Sequence, residues 1–175
     1  MPIVQENGNI NKYYDIPEGM TGKHHRIMED KSKMVRMYFD GGCSPNPGPM
    51  KACVVMIHAD GTRETFYQDD LGPGTNNIAE WAALCWGMDM ARSKGITKIK
   101  IIGDSMLVVK QAKGEWKIKN TGLKPFKREY DSLKGKFHYL ELGWESRDDN
   151  LAGHHIEETA ANSKDAALPE PVGIR

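Results

Sequence analysis

From Met34 onward the hydrophobic period of the chain switches between two and 3.6 in a set order, and that order restricts the fold more than any other feature. Val35, Met37 and Phe39 alternate with Arg36, Tyr38 and Asp40, the pattern of a strand with one buried face. KACVVMIHAD forms a second such run, Asp60-Gly61 a hairpin turn, and TRETFYQDD a third run. Three short strands joined this way predict an antiparallel meander. IAEWAALCWGMDMARSK then has helical spacing, with Thr75 or Asn76 available as its cap and Gly95 to close it. KIKIIG is a fourth strand, and Asp104-Ser105 opens a short helix. A further helix follows Pro125, FHYLELGWES is a fifth strand, and a last helix runs from residues 148–150 to about Lys164. The order βββαβααβα predicts an α/β fold: a five-stranded mixed sheet, three antiparallel strands then two parallel, flanked by helices.

Residues 1–33 are polar, lack a sustained period and are interrupted by Gly8, Pro17, Gly19 and Gly22. They are expected to form a flexible extension, with a docked patch around Tyr13, Tyr14 and Ile16. The expected domain covers residues 34–164, and residues 165–175 form a tail. Lys and Arg number 24, as do Asp and Glu, so any electrostatic footprint for an anionic partner must be local. Cys43, Cys53 and Cys85 form no CxxC pair, which argues against a zinc site or a disulfide framework. With no apolar stretch long enough to span a bilayer, the expectation is a cytoplasmic protein without a membrane partner.

Asp40 and Asp104 both fall at strand ends. If their strands are parallel neighbours, both carboxylates emerge at one sheet edge, where open α/β sheets place their sites. Glu80, early in the intervening helix, can reach the same place. A lone acid at a strand end is more often a surface residue or a helix cap. Three acids converging repel one another unless a cation lies between them, and oxygen ligands suit Mg²⁺ or Mn²⁺.

Three segments carry a resemblance. FDGGCSPNPGP, TNNIAEWAAL and GDSMLVVKQAKGEWKIKN are similar, in this order, to the signature blocks of the type 1 ribonuclease H family. The resemblance covers roughly Met34 to Lys164. It implies the ribonuclease H-like fold, with Asp40, Glu80 and Asp104 as metal-binding carboxylates. It also implies two-metal-ion hydrolysis of the RNA strand of RNA–DNA hybrids, leaving 5′-phosphate and 3′-hydroxyl ends.

The resemblance further implies that Gly41, Gly42 and Asn46 lie along the RNA strand, where bare backbone can approach 2′-hydroxyls. Asn76 and Asn77 would face the minor groove, Thr75 would hold a DNA phosphate, and Ser105 would touch substrate. Thr-Asn-Asn is equally a good helix cap, and the two roles are compatible. GEWKIKN would line the DNA strand, with Trp116 offering a flat face and Lys113, Lys117 and Lys119 contacting phosphates. Lys124 and Lys127 extend that patch. Trp81, Trp86 and Trp144 are assigned to the core.

One family position departs. A fourth carboxylate usually comes from R-x-x-N-x-x-A-D in the final helix; here the segment is RDDNLAGHHIEE. Aligning Arg147 and Asn150 puts Gly153 at the alanine and His154 at the aspartate, with His155 reached by a one-residue slip. His154 is therefore a candidate catalytic residue and metal ligand that would tilt preference toward Mn²⁺, with Glu158 orienting its ring. The alternative is a non-catalytic binder of hybrids or double-stranded RNA. Intact Asp40, Glu80 and Asp104 speak against that. A monomer with no obligate protein partner is expected.

Overall fold

The computed structural model describes residues 33–167, with side chains described as far as Thr159. The expectations for residues 1–32 and 168–175 lie outside the described residues.

The sheet is centred on β1 (Val35–Cys43). On one side β1 pairs antiparallel with β2 (Gly48–Ile57), which pairs antiparallel with β3 (Arg63–Gln68). A two-residue strand that the sequence pattern did not signal, β4 (Pro73–Gly74), pairs with Gly48 and Pro49. On its other side β1 pairs parallel with β5 (Lys98–Gly103), and β5 pairs parallel with β6 (Tyr139–Trp144). The main order is β3-β2-β1-β5-β6, the expected mixed sheet.

Among the described residues, four α-helices and the short 3-10 helices Thr121–Leu123 and Arg147–Asp149 complete the element order: α1 (Asn76–Ser93), α2 (Met106–Ala112), α3 (Lys124–Lys134) and α4 (Leu151–Ala167). Thr75 is extended and its Oγ accepts from the Ile78 N–H at 3.2 Å, satisfying an orphan donor of α1. Ser105 does the same for α2 through Val108, also at 3.2 Å. Gly95, at φ +83°, supplies the left-handed turn after α1.

The alternation in β1 sorts side chains onto two faces. Val35, Met37 and Phe39 enter the main core with Trp81, Leu84 and Met88 of α1. Tyr38 points the other way, into a smaller cluster with Cys53, Val55, Ile102 and Ala152 of α4. So α1 and α4 cover opposite faces. Trp81 is fully buried, donates to Gln111 Oε1 at 3.2 Å and meets Tyr130 edge-on, which ties α1 to α2 and α3. Trp86 is partly buried against this core. Trp144 is not core: it is 44 % exposed, because the apolar layer ends below it at Leu142.

Gly41 shares the face of Phe39. A Cβ there would overlap the Ala79 carbonyl of α1, so its absence sets how closely the helix lies on β1. Gly42 has room, its nearest neighbour being Asn76 Oδ1 at 3.5 Å. Gly41→Ala is therefore expected to cost about 1–3 kcal/mol in urea unfolding, as overpacking does, and Gly42→Ala clearly less. Equal losses would contradict this account of the helix–strand contact.

Candidate metal centre

The parallel ladder between β1 and β5 ends at the pair Phe39 and Gly103. The next residue along each is an aspartate, Asp104 just past the end of β5 and Asp40 within β1. β1 runs on to Cys43 because β2 still pairs with it there, so Asp40 is not at the strand end that the sequence suggested. Both aspartates follow residues of the α4 face, Tyr38 and Ile102, so both carboxylates emerge beside the start of α4. Glu80 arrives from α1, on the opposite face, through the close approach that Gly41 permits. Carboxylate oxygens of Asp40, Glu80 and Asp104 all lie within 4.8 Å of one another. Asp40 is 2 % exposed and Glu80 8 %.

Two residues that sequence reasoning used only to set the alignment hold this group in place. Asn150, fully buried, donates from Nδ2 to the Phe39 carbonyl at 3.0 Å and to Asp104 Oδ2 at 2.8 Å. Its Oδ1 accepts from the Ala152 N–H at 2.9 Å, capping α4. One side chain thus joins β1, a metal-centre carboxylate and the helix start. Arg147 Nη1 lies 3.4 Å from both Asp40 Oδ1 and Asp104 Oδ2, while its Nε donates to Glu157 at 3.2 Å. The signal for both was present as Arg and Asn before a helix, yet their spacing alone does not say what they touch.

The charges are under strain. Burial, and next the Asp104 carboxylate, push the Asp40 pKa up to about 6, with Arg147 pulling the other way. Burial likewise raises Glu80 well above the ordinary carboxylate range, and Asp40 and Asp104 add to it. Glu80 Oε1 is buried with no hydrogen-bond partner among the described residues. An orphaned buried oxygen facing two further carboxylates fits a hard divalent cation, because that ion supplies both the missing partner and the missing charge.

His154 does not join the group. The face of α4 nearest the carboxylates carries Gly153, where a Cβ would stand 3.5 Å from Asp40 Oδ2 and 3.6 Å from Asp104 Oδ2. His154 is the next residue, about 100° further around the helix, and is exposed. His155 packs edge-on against Tyr67, ring centroids 5.5 Å apart. The expected role of His154 as a fourth ligand, and the Mn²⁺ preference that would follow from it, thus gain no support from the carboxylate cluster, toward which α4 turns a glycine.

Some of the other expected site residues line clefts. Gly41, Gly42 and Asn76 line one of about 420 Å³ together with Asp40, Glu80 and Arg147. Asn46 and Asn76 stitch its rim, Asn46 Oδ1 accepting from the Asn76 N–H at 3.1 Å and Asn76 Oδ1 from the Cys43 N–H at 2.9 Å. Thr75 and Ser105 act as helix caps, and Asn77 is exposed. Trp116, 46 % exposed, lines a second cleft of about 320 Å³ with Ile118, Lys124, Lys127 and Arg128. Lys117 and Lys119 are exposed on the same segment, whereas Lys113 lies 4.0 Å from Glu115. Arg128 is an addition that the sequence did not single out.

The raised carboxylates set a pH dependence. A group whose folded pKa is lifted from 3.8 to about 6 binds its proton more tightly in the folded state. The metal-free protein therefore loses stability as pH rises from about 4 through 6, by roughly 3 kcal/mol for Asp40 alone. Thermal unfolding should show a falling midpoint over that window, recovered by millimolar divalent cation at pH 8 more than at pH 5. A midpoint flat with pH, or equal recovery at both, would contradict the electrostatics.

Comparisons with known proteins agree with this geometry. The family model described as reverse transcriptase-like matches residues 38–157. A bifunctional protein of Mycobacterium tuberculosis is 33 % identical over 129 residues, covering 73 % of this chain and 35 % of that protein. Ribonuclease HI of Halobacterium salinarum is 38 % identical over 90 residues, 51 % of this chain and 45 % of that one. The chain thus spans about a third to under half the length of these curated relatives. The crystal structure of RNase H1 from Halobacterium salinarum superimposes with a TM-score of 0.65 at 31 % identity, over 68 % of this chain and 90 % of that one. LC11-RNase H1, solved in complex with an RNA/DNA hybrid, gives 0.59 at 27 % identity, over 67 % and 88 %. Sheet order, carboxylate cluster and these matches lead to one conclusion: the chain belongs to the ribonuclease H family.

Proposed function

We propose that the chain is an endonuclease that hydrolyses the RNA strand of RNA–DNA hybrids, leaving 5′-phosphate and 3′-hydroxyl ends. The observation that carries this reading is the orphaned Glu80 oxygen beside Asp40 and Asp104, in a cleft walled by the bare backbone of Gly41 and Gly42. Asp40, Glu80 and Asp104 would hold Mg²⁺ or Mn²⁺, two ions per site. Ions of this kind supply Lewis acidity and neutralise charge on the phosphodiester.

The chain's own groups do the rest. Gly42, whose missing side chain would meet only Asn76 Oδ1, leaves room for a ribose, and a 2′-hydroxyl hydrogen-bonded to this bare backbone is a contact that DNA lacks. Asn150 orients the Asp104 carboxylate through its 2.8 Å hydrogen bond. Arg147, half-exposed and already beside Asp40, is placed to meet an incoming phosphate. Trp116 with Lys117, Lys119, Lys124 and Lys127 offers a flat face flanked by cations to the DNA strand. The structure of LC11-RNase H1 with a hybrid supports this assignment of substrate. A cytoplasmic monomer is part of the same reading.

Cleavage of labelled RNA–DNA hybrid, RNA duplex and DNA duplex tests it. Wild type should cut the hybrid alone, Asp104→Asn should lose about a thousandfold or more, and His154→Ala should stay within about threefold in either metal. Hybrid binding without cutting would replace the enzyme by a binding protein. A large loss in His154→Ala confined to one metal would restore that histidine as a ligand.

A further inference from the structure

Trp144 is the aromatic whose placement the sequence pattern misjudged, and its surroundings explain why. It continues the core-facing side of β6 after Leu140 and Leu142, but in the β5–β6 register it stands opposite Gly103, the last residue of β5. Beyond that level the sheet gives way to the metal centre. The indole Nε1–H donates to the main-chain carbonyl of Asp104 at 2.9 Å. The ring is 44 % exposed, and Met106, at the start of α2 two residues after Asp104, is 38 % exposed. A singly exposed apolar side chain is ordinary. One whose polar atom is bonded to the peptide of a metal-centre residue is held in a defined place at the edge of that centre. Trp81 makes the contrast: its N–H bond to Gln111 is fully buried, so its ring has no surface to offer.

We propose that Trp144 is a substrate-contacting residue of this centre, its indole N–H holding the Asp104 peptide while its exposed ring packs against the nucleotide beside the cleaved phosphodiester. The proposal rests on the hybrid-cleaving function argued above. Neighbouring nucleotides along a strand are spaced closely enough that a ring bonded to the Asp104 peptide lies beside the next sugar or base once a phosphate occupies the centre. Every base and sugar presents an apolar surface to such a ring, so the contact adds affinity without sequence preference. The N–H bond has a separate effect, since it fixes the peptide from which the Asp104 carboxylate projects.

Trp144→Phe and Trp144→Ala separate the two effects, with kcat and KM measured on labelled hybrid and the unfolding midpoint of each variant as the structural control. Both variants lose the N–H bond, so kcat should fall in both by a similar factor. Phe keeps a ring face and should hold KM within about twofold, whereas Ala should raise it about tenfold. Trp144→Leu, which keeps apolar bulk without an aromatic face, should follow Ala and serves if Ala does not fold. Wild-type KM in Ala or Leu at an unchanged midpoint, or an equal rise in Phe and Ala, would overturn the ring contact. Hybrid-cutting wild type with those results loses this inference alone. Wild type that neither binds nor cuts hybrid loses the proposed function and this inference with it.

Discussion

Repulsion among Asp40, Glu80 and Asp104 is the constraint around which the top of this fold is arranged. Three carboxylates within 4.8 Å, two of them nearly removed from water, would drive the strands and helix apart if nothing opposed them. The opposition comes from several directions. The β1–β5 ladder fixes the two aspartates side by side, and Gly41 lets α1 press Glu80 in from the other face. Asn150 and Arg147 bind the oxygens that point toward α4. What remains is one Glu80 oxygen with no hydrogen-bond partner among the described residues, and two carboxylates pushed toward their protonated form. The protein thus keeps folding energy in a form that a cation can release.

The same geometry explains the division of labour between the two faces of the sheet. The α1 face carries the large apolar core, with Met37, Phe39, Trp81 and Leu84 all excluded from water. The α4 face carries a much smaller cluster, and at its upper end lies the carboxylate group. The helix that closes the site is therefore anchored less by apolar burial than by the hydrogen bonds of Asn150. Placing charge on the thinly packed face spares the main core from burying it.

Much of this was legible in the sequence, for physical reasons that can be named. Period two in Val35, Met37 and Phe39 identified β1 and its buried face, and it put Asp40 on the opposite one. The caps of α1 and α2 were legible to within a residue, at Thr75 or Asn76 and at Asp104-Ser105, and Thr75 and Ser105 are the ones whose oxygens serve donors three residues on. Asp40, Glu80 and Asp104, which the structure brings together, stood out because each lies beside its own local motif, although only Asp104 is at an element boundary. What was not legible shares one cause. His154 was placed by counting along the sequence, whereas which residue of a helix faces a site depends on how the helix is rotated, and the α4 residue found beside Asp40 and Asp104 is Gly153. Trp144 has the alternation of a core residue, yet alternation cannot say where along a strand the covering layer stops. Arg128 joined the Trp116 cleft through the packing of α3, which no local pattern encodes.

The central claim is that the three carboxylates form one centre whose charge is held back by protons until a divalent ion arrives. Proton release on metal binding tests it most directly, measured calorimetrically with Mn²⁺ in buffers of different ionisation enthalpy. With Asp40 at about 6 and Glu80 raised as well, binding at pH 6 should release protons, about half of one from Asp40 alone, and fewer at pH 8. Glu80→Gln should reduce both the affinity and the number released. Binding at pH 6 with no proton released, or unchanged binding in Glu80→Gln, would contradict the account.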